Sequence, residues 1–146
     1  MQYTITPPNH IDSTINLPPS KSISNRALII HALAGGKIAP SNLSHCDDTE
    51  VIIKALKDKP ETIDLMAAGT AMRFMTAYLS VTEGEHTLTG TERLRQRPIG
   101  ILVEALRFLG AEIDYLGEEG YPPLRIRGKC LEGGQLEIVG NVSSQY

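Results

Sequence analysis

Lys21, Ser22 and Arg26 are the first residues whose types and spacing could do chemistry. They follow Pro18-Pro19-Ser20, at the expected start of a helix. A helix N-terminus offers backbone N–H groups without intrahelical partners and the positive end of the macrodipole. Lys21 adds an ammonium, Ser22 a hydroxyl donor, and Arg26 lies four residues on, on the same helix face. Such a set can hold a phosphate or a carboxylate. It can equally be a capping serine flanked by two solvated cations, and the spacing alone leaves both open.

Three further segments share the pattern. In Ala67-Ala68-Gly69-Thr70-Ala71-Met72-Arg73, Gly69 admits a ligand close to the backbone, Thr70 can cap or donate, and Arg73 can reach back or pair with a carboxylate. In Arg93-Leu94-Arg95-Gln96-Arg97-Pro98, three arginines precede a helix. Proline biases Arg97 toward an extended backbone, from which it can grip a phosphate bidentately. Arg93 and Arg95 would point with it if the segment is extended; a solvated basic turn is the plainer alternative. Ser143-Ser144-Gln145 sets two hydroxyls and an amide at another expected helix start, suited to an anion or a sugar hydroxyl.

The elements that must position these residues follow from periodicity. Tyr3–Thr6 and Ser13–Leu17 read as short strands across a Pro7-Pro8-Asn9 turn. A helix is expected over Ser22–Ala34, with Ile23, Ala27, Ile30 and Ala34 at helical spacing and Gly35-Gly36 ending it. Lys37–Leu43 reads as a strand. Asp47 and Asp48 stand where an N-cap belongs, ahead of a helix carrying Val51, Ile52, Ala55 and Leu56. Thr62–Met66 is expected as a strand, Gly69–Ser80 as a helix and Glu85–Thr89 as a strand. Another helix begins at Pro98, with Ile99, Leu102, Val103, Leu106 and Leu109 as its buried stripe. Ala111–Leu116 and Leu124–Arg127 pair as a hairpin, and Leu136–Val139 is a last strand. The order repeats: a helix opening on a hydroxyl residue with an Arg in its first turns, a strand, then an ordinary amphipathic helix.

Composition narrows the classes. The chain has 146 residues, enough for one domain with a real core. No Trp and 5% aromatic content make that core aliphatic. A net charge of −3 and scattered cations argue against nucleic acid or anionic lipid as partner. No window approaches the roughly 18 apolar residues of a membrane span. The N-terminus lacks the basic and apolar regions of a signal peptide, so a cytoplasmic location is expected. His10, His31, His45 and His86 have no ligand spacing, and no metal is expected. Cys46 and Cys130 are too few for a disulfide framework and read as packing residues.

The stretches PSKSISNRALI, AGTAMRFMTAYL, LTGTERLRQRPIGILVEALRFLGA, YPPLRIRG and VSSQY, in this order, resemble the N-terminal half of the 5-enolpyruvylshikimate 3-phosphate synthase family. The resemblance covers nearly the whole chain and implies about a third of a full-length member. It implies a mixed α/β (α+β) fold of βαβαββ repeats, in two globes whose helices aim their N-termini at the cleft between them. Residues 1–18 would cross toward the second globe, and residues 19–146 would form a partial N-terminal globe with its third repeat truncated.

The implied reaction joins phosphoenolpyruvate to the 5-hydroxyl of shikimate 3-phosphate and releases phosphate, without metal or cofactor. By matching position, Lys21 touches both substrates and is the catalytic candidate. Ser22, Arg26, Ser143 and Ser144 bind shikimate 3-phosphate, Gly69 and Arg97 bind phosphoenolpyruvate, and Gln145 reaches both. Thr70 and Arg73 match the motif as further contacts. Partners would be phosphorylated small molecules, with full-length members usually monomeric and a fragment open to self-association. Pro19, Ala67, Phe74 and Gln96 depart from the family's usual glycine, asparagine, proline and acid. The family's acid/base carboxylates have no counterpart here, so these 146 residues alone are expected to be inactive. An anion-binding or purely structural fragment is the competing reading. UDP-N-acetylglucosamine enolpyruvyl transferase, which shares the fold, is the other enzyme alternative, but Ser20-Lys21-Ser22 and Asn25-Arg26 favour the shikimate branch.

Overall fold

The computed structural model describes residues 3–138. Five helices, α1 (Lys21–Leu33), α2 (Asp47–Asp58), α3 (Gly69–Ser80), α4 (Glu92–Arg95) and α5 (Gly100–Phe108), accompany four strands, β1 (Thr62–Asp64), β2 (Gly84–Thr89), β3 (Glu112–Tyr115) and β4 (Leu124–Gly128). The strands form one mixed sheet in the order β1-β2-β4-β3. β1 and β2 are parallel, as a helical crossover through α3 requires, while β4 runs antiparallel to both β2 and β3. Setting the short α4 aside, β1-α3-β2-α5-β3-β4 is one complete βαβαββ unit.

Alternation along the strands sorts the sheet's two faces. Ile63, Leu88, Leu124, Ile126 and Ile113 are buried beneath the helices. On the other face Arg127 donates to Glu85 (2.7 Å) and Asp114 (3.0 Å), and Lys129 to Glu112 (2.8 Å). α3 lies against β2 and β4 on one side and α1, α2 and α5 on others, so it is buried nearly all round. Its buried hydroxyls are satisfied within the helix: Thr76 donates to the Met72 carbonyl and Ser80 to the Thr76 carbonyl.

α1 packs differently from its apolar pattern. Ile23 and Ile30 are 70% and 66% exposed, whereas Ser24, Asn25 and Leu28 are buried. The polar pair is held by specific bonds. The Ser24 hydroxyl donates to the Ser20 carbonyl and accepts from the Ser44 N–H, and Asn25 Oδ1 accepts from the Thr49 hydroxyl at 2.8 Å. The helix docks through these residues, and Ile23 and Ile30 stay exposed on its other faces.

Other expectations are corrected. Residues 3–20 and 37–43 hold no strand, and neither do 136–138; Val139 lies outside the described residues. A strand needs a neighbour for its N–H and C=O groups. None of these segments appears in the sheet pairings, and Ile5, Ile15 and Ile38 are exposed. Cys46, not Asp47 or Asp48, is the N-cap of α2, and it makes no side-chain capping bond. The helix after Pro98 starts at Gly100 with Ile99 as N-cap. Cys130 is exposed rather than packed.

Gly128 closes β4 where the end of α3 turns back. A methyl there would overlap the main-chain carbonyl oxygens of Thr82 and Leu79, which cannot swing aside as a side chain can. Gly128→Ala should cost about 1–3 kcal/mol by overpacking. The urea midpoint should fall with an unchanged slope; an unaltered midpoint would show the carbonyls to be freer than their packing indicates.

Candidate functional site

The start of α3 is shaped by a glycine and two arginines. Ala68 is the N-cap and no side chain caps it, leaving the first-turn amides to other acceptors. Gly69 is buried, and a methyl in its place would overlap the Arg97 guanidinium. The missing Cβ therefore lets Arg97 lie directly against the helix start. Arg73, four residues into the helix, is only 8% exposed. Its Nη1 donates to the Gly69 carbonyl and its Nη2 to the Pro98 carbonyl, both at 3.0 Å.

Local structure explains how Arg97 gets there. Met66 takes a left-handed conformation (φ 53°), and its N–H is held by Asp64 Oδ1 at 2.8 Å. The Met66 carbonyl then accepts from both the N–H and the hydroxyl of Thr91. That ties the loop entering α3 to the turn entering α4. The Arg97 N–H bonds back to Leu94, which is fully buried. Arg93 and Arg95 do not join Arg97. The segment is helical rather than extended, which sets them roughly 200° apart. Arg95 Nε bonds back to the Gly90 carbonyl, and Arg93 is exposed.

Lys21 lies at the start of α1, capped by the Ser20 hydroxyl through the Ile23 N–H. Its Nζ donates to Asp48 Oδ1 at 2.8 Å. Asp48 sits in the acidic first turn of α2, where the macrodipole favours its charge. The hydrogen bond and charge of Asp48 raise the Lys21 pKa above the ordinary lysine value, while the charge of Arg97 acts in the opposite sense. The two cations are thus electrostatic neighbours. Lys21 is half exposed, so the pair's contribution to stability is small. What it has is present below the unfolded lysine value and lost only as pH rises through the raised one.

Ser22 is exposed in the first turn of α1, and its carbonyl accepts from Arg26 Nη1 at 3.1 Å. The Arg26 guanidinium stands 5.3 Å from the Phe74 ring centre, so the phenylalanine that departs from the family's usual proline seats a cation. Thr70 is half-buried at the start of α3. The geometry thus brings Arg97 onto Gly69, with Arg73 behind them; Lys21 lies within reach of the Arg97 charge, and Arg26 stands over Phe74 of α3. Ser143, Ser144 and Gln145 lie outside the described residues.

Asp48 was missed as a site neighbour. Asp48 reads as a helix-start acid, and nothing in spacing links it to a lysine 27 residues away. Cys46 adjoins the same corner. Burial pushes its thiol up, but hydrogen bonding with Ser44 and Thr49 outweighs this and leaves it below the ordinary value. Among the described residues no group of three or more His, Cys, Asp and Glu is placed to hold a metal ion.

The chain matches the family model described as EPSP synthase (3-phosphoshikimate 1-carboxyvinyltransferase) over residues 5–62 and 58–146. It is 64% identical over all 146 residues to a 3-phosphoshikimate 1-carboxyvinyltransferase of Bacteroides fragilis (strain ATCC 25285), covering 36% of that relative. It is 42% identical to the enzyme of that name in Shewanella halifaxensis, over 99% of this chain and 40% of the relative. Two solved structures of EPSP synthase from Acinetobacter baumannii share its fold at 24% identity. Their TM-scores are 0.67 and 0.73, over 78% and 85% of this chain and 31% and 34% of theirs. The chain spans about a third of the length of the curated relatives it matches.

Asp48→Asn removes the strongest influence holding the Lys21 proton and leaves the repulsion from Arg97. The Lys21 pKa should fall, and acylation of Nζ at mildly alkaline pH should quicken, as peptide mapping of a pulse-labelled sample would show. Unchanged labelling at Lys21 would mean that the ion pair does not persist in solution.

Proposed function

This chain belongs to the EPSP synthase family, and we propose that its site serves the transfer of the enolpyruvyl group of phosphoenolpyruvate to the 5-hydroxyl of shikimate 3-phosphate. The observation that carries the reading is the seating of the Arg97 guanidinium on Gly69 at the uncapped start of α3, with Lys21, at the start of α1, within reach of its charge. In this reading Arg97 and the uncapped first turn of α3 hold phosphoenolpyruvate. Arg26 and Ser22 face shikimate 3-phosphate, and Lys21 stands between. In the same reading Ser143 and Ser144 bind shikimate 3-phosphate, and Gln145 reaches both substrates. The same reading places the enzyme's work in the cytoplasm. No helix among the described residues is long and apolar enough to cross a membrane.

The chemistry explains why such a site suits the reaction. Two multiply charged anions must lie side by side, which costs Coulomb energy wherever water is excluded. Fixed cations and helix N-termini offset that repulsion without reorganising as charge moves. The hydroxyl gives up its proton to a base as its oxygen adds to C2 of phosphoenolpyruvate, and C3 gains a proton from an acid. The tetrahedral adduct then loses phosphate as C3 gives a proton back. In this reading catalysis belongs to a protein of the family's full length, with Lys21 contributing to it, and these 146 residues alone only bind. Residues 3–18 are all exposed and without helix or strand, which supports the proposal that they cross toward a second globe.

Titration of the ¹⁵N-labelled chain with phosphoenolpyruvate tests the reading. The Gly69 and Thr70 amides and the Arg97 side chain should shift together. Arg97→Ala should weaken binding by about 1.5–3 kcal/mol, the usual value of a charge-assisted contact. Gly69→Ala, which must push the Arg97 guanidinium off the helix start, should weaken it with little loss of stability. Shifts confined to other surfaces would sink the assignment.

A further inference from the structure

We infer that Arg73 is a positioning residue, a two-pronged clamp that sets the distance between the start of α3 and Arg97 without itself contacting ligand. The inference rests on the anion-site reading above and departs from the expectation that Arg73 is a further substrate contact. The guanidinium is buried, and its two terminal nitrogens donate to carbonyls on different segments, Gly69 in the first turn of α3 and Pro98 on the approach to α5. Pro98 is bonded to Arg97, and Gly69 is the residue the Arg97 guanidinium rests against. One rigid planar group therefore spans the two chain segments whose side-by-side placement makes the site.

Physical reasoning favours a clamp over a reserve cation. Burying a guanidinium is costly unless its donors are engaged. An apolar side chain could fill the same volume at lower cost, but could not fix two carbonyls. Arginine's donors lie in a fixed fork, so the separation of the Gly69 and Pro98 carbonyls is set by bond lengths within one side chain. A lysine would keep the charge but offers donors at a single point, which cannot reproduce that fork. Positioning errors of about an ångström are enough to cost a site much of its function.

The test uses the 146-residue chain with phosphoenolpyruvate as probe. In the wild type the Arg73 side-chain ¹⁵N signals should show hindered rotation and stay in place on titration, while those of Arg97 move. Arg73→Lys and Arg73→Gln should weaken binding alike, each by roughly tenfold, about the effect of one lost hydrogen-bonded anchor. Both should also lose the nuclear Overhauser contacts between Gly69 and the Arg97 side chain before any ligand is added. Arg73 signals that move with Arg97, or full rescue by lysine, would overturn the clamp and make Arg73 a ligand contact. Should the variants fail to fold, the wild-type titration decides the question alone. If neither Gly69 nor Arg97 responds in the wild type, the anion-site reading itself fails and the positioning role falls with it.

Discussion

Two cations, Lys21 and Arg97, lie within reach of each other's charge, and the structure restrains both. Each is restrained by a different device. Lys21 is drawn to Asp48 on α2, an acid favoured by its own helix start. Arg97 is laid on the one residue of α3 that has no side chain to obstruct it. Neither restraint consumes the capacity to meet an anion. An ammonium has three donors and a guanidinium five, so each can accept a ligand while keeping its neighbour.

The scaffold supplies rigidity by burying α3. A helix enclosed by the sheet on one side and by other helices around it has little freedom to shift. Its first turn is therefore a fixed reference for everything that touches it. The Met66 carbonyl, shared by the Thr91 N–H and hydroxyl, ties the entrance of α3 to the α4 turn. α2, which carries no residue assigned to substrate, enters the site through Asp48 and is bolted to α1 through Asn25 and Thr49. Polar contacts between α1 and α2 thus orient the lysine as surely as apolar contacts hold α3. The chain belongs to the EPSP synthase family and spans about a third of the length of the curated relatives it matches.

Helices were legible wherever period, cap and terminator agreed. The expected Gly69–Ser80 helix matches α3, and the β3–β4 hairpin stands where its apolar alternation put it. Strands expected from local alternation in 3–20 and 37–43 failed, because a strand exists only through a partner and alternation says nothing about who that partner is. The buried face of α1 was not legible for a related reason. Isoleucines at helical spacing mark a buried stripe only if something covers it, and here the helix docks through Ser24, Asn25 and Leu28 instead.

The sequence by itself determined the chemistry on offer: which residues are cationic, which helix starts lack bulk, and which family motifs stand in which order. These depend on residue type and short spacing, and Lys21, Gly69 and Arg97 could be named from them. Only the tertiary structure decided which of these residues meet. It selected Arg97 from three arginines because a helical turn splays side chains that an extended chain would align. It paired Lys21 with Asp48 and lodged Arg73 between two carbonyls because contacts between distant segments arise from packing, which no local pattern encodes.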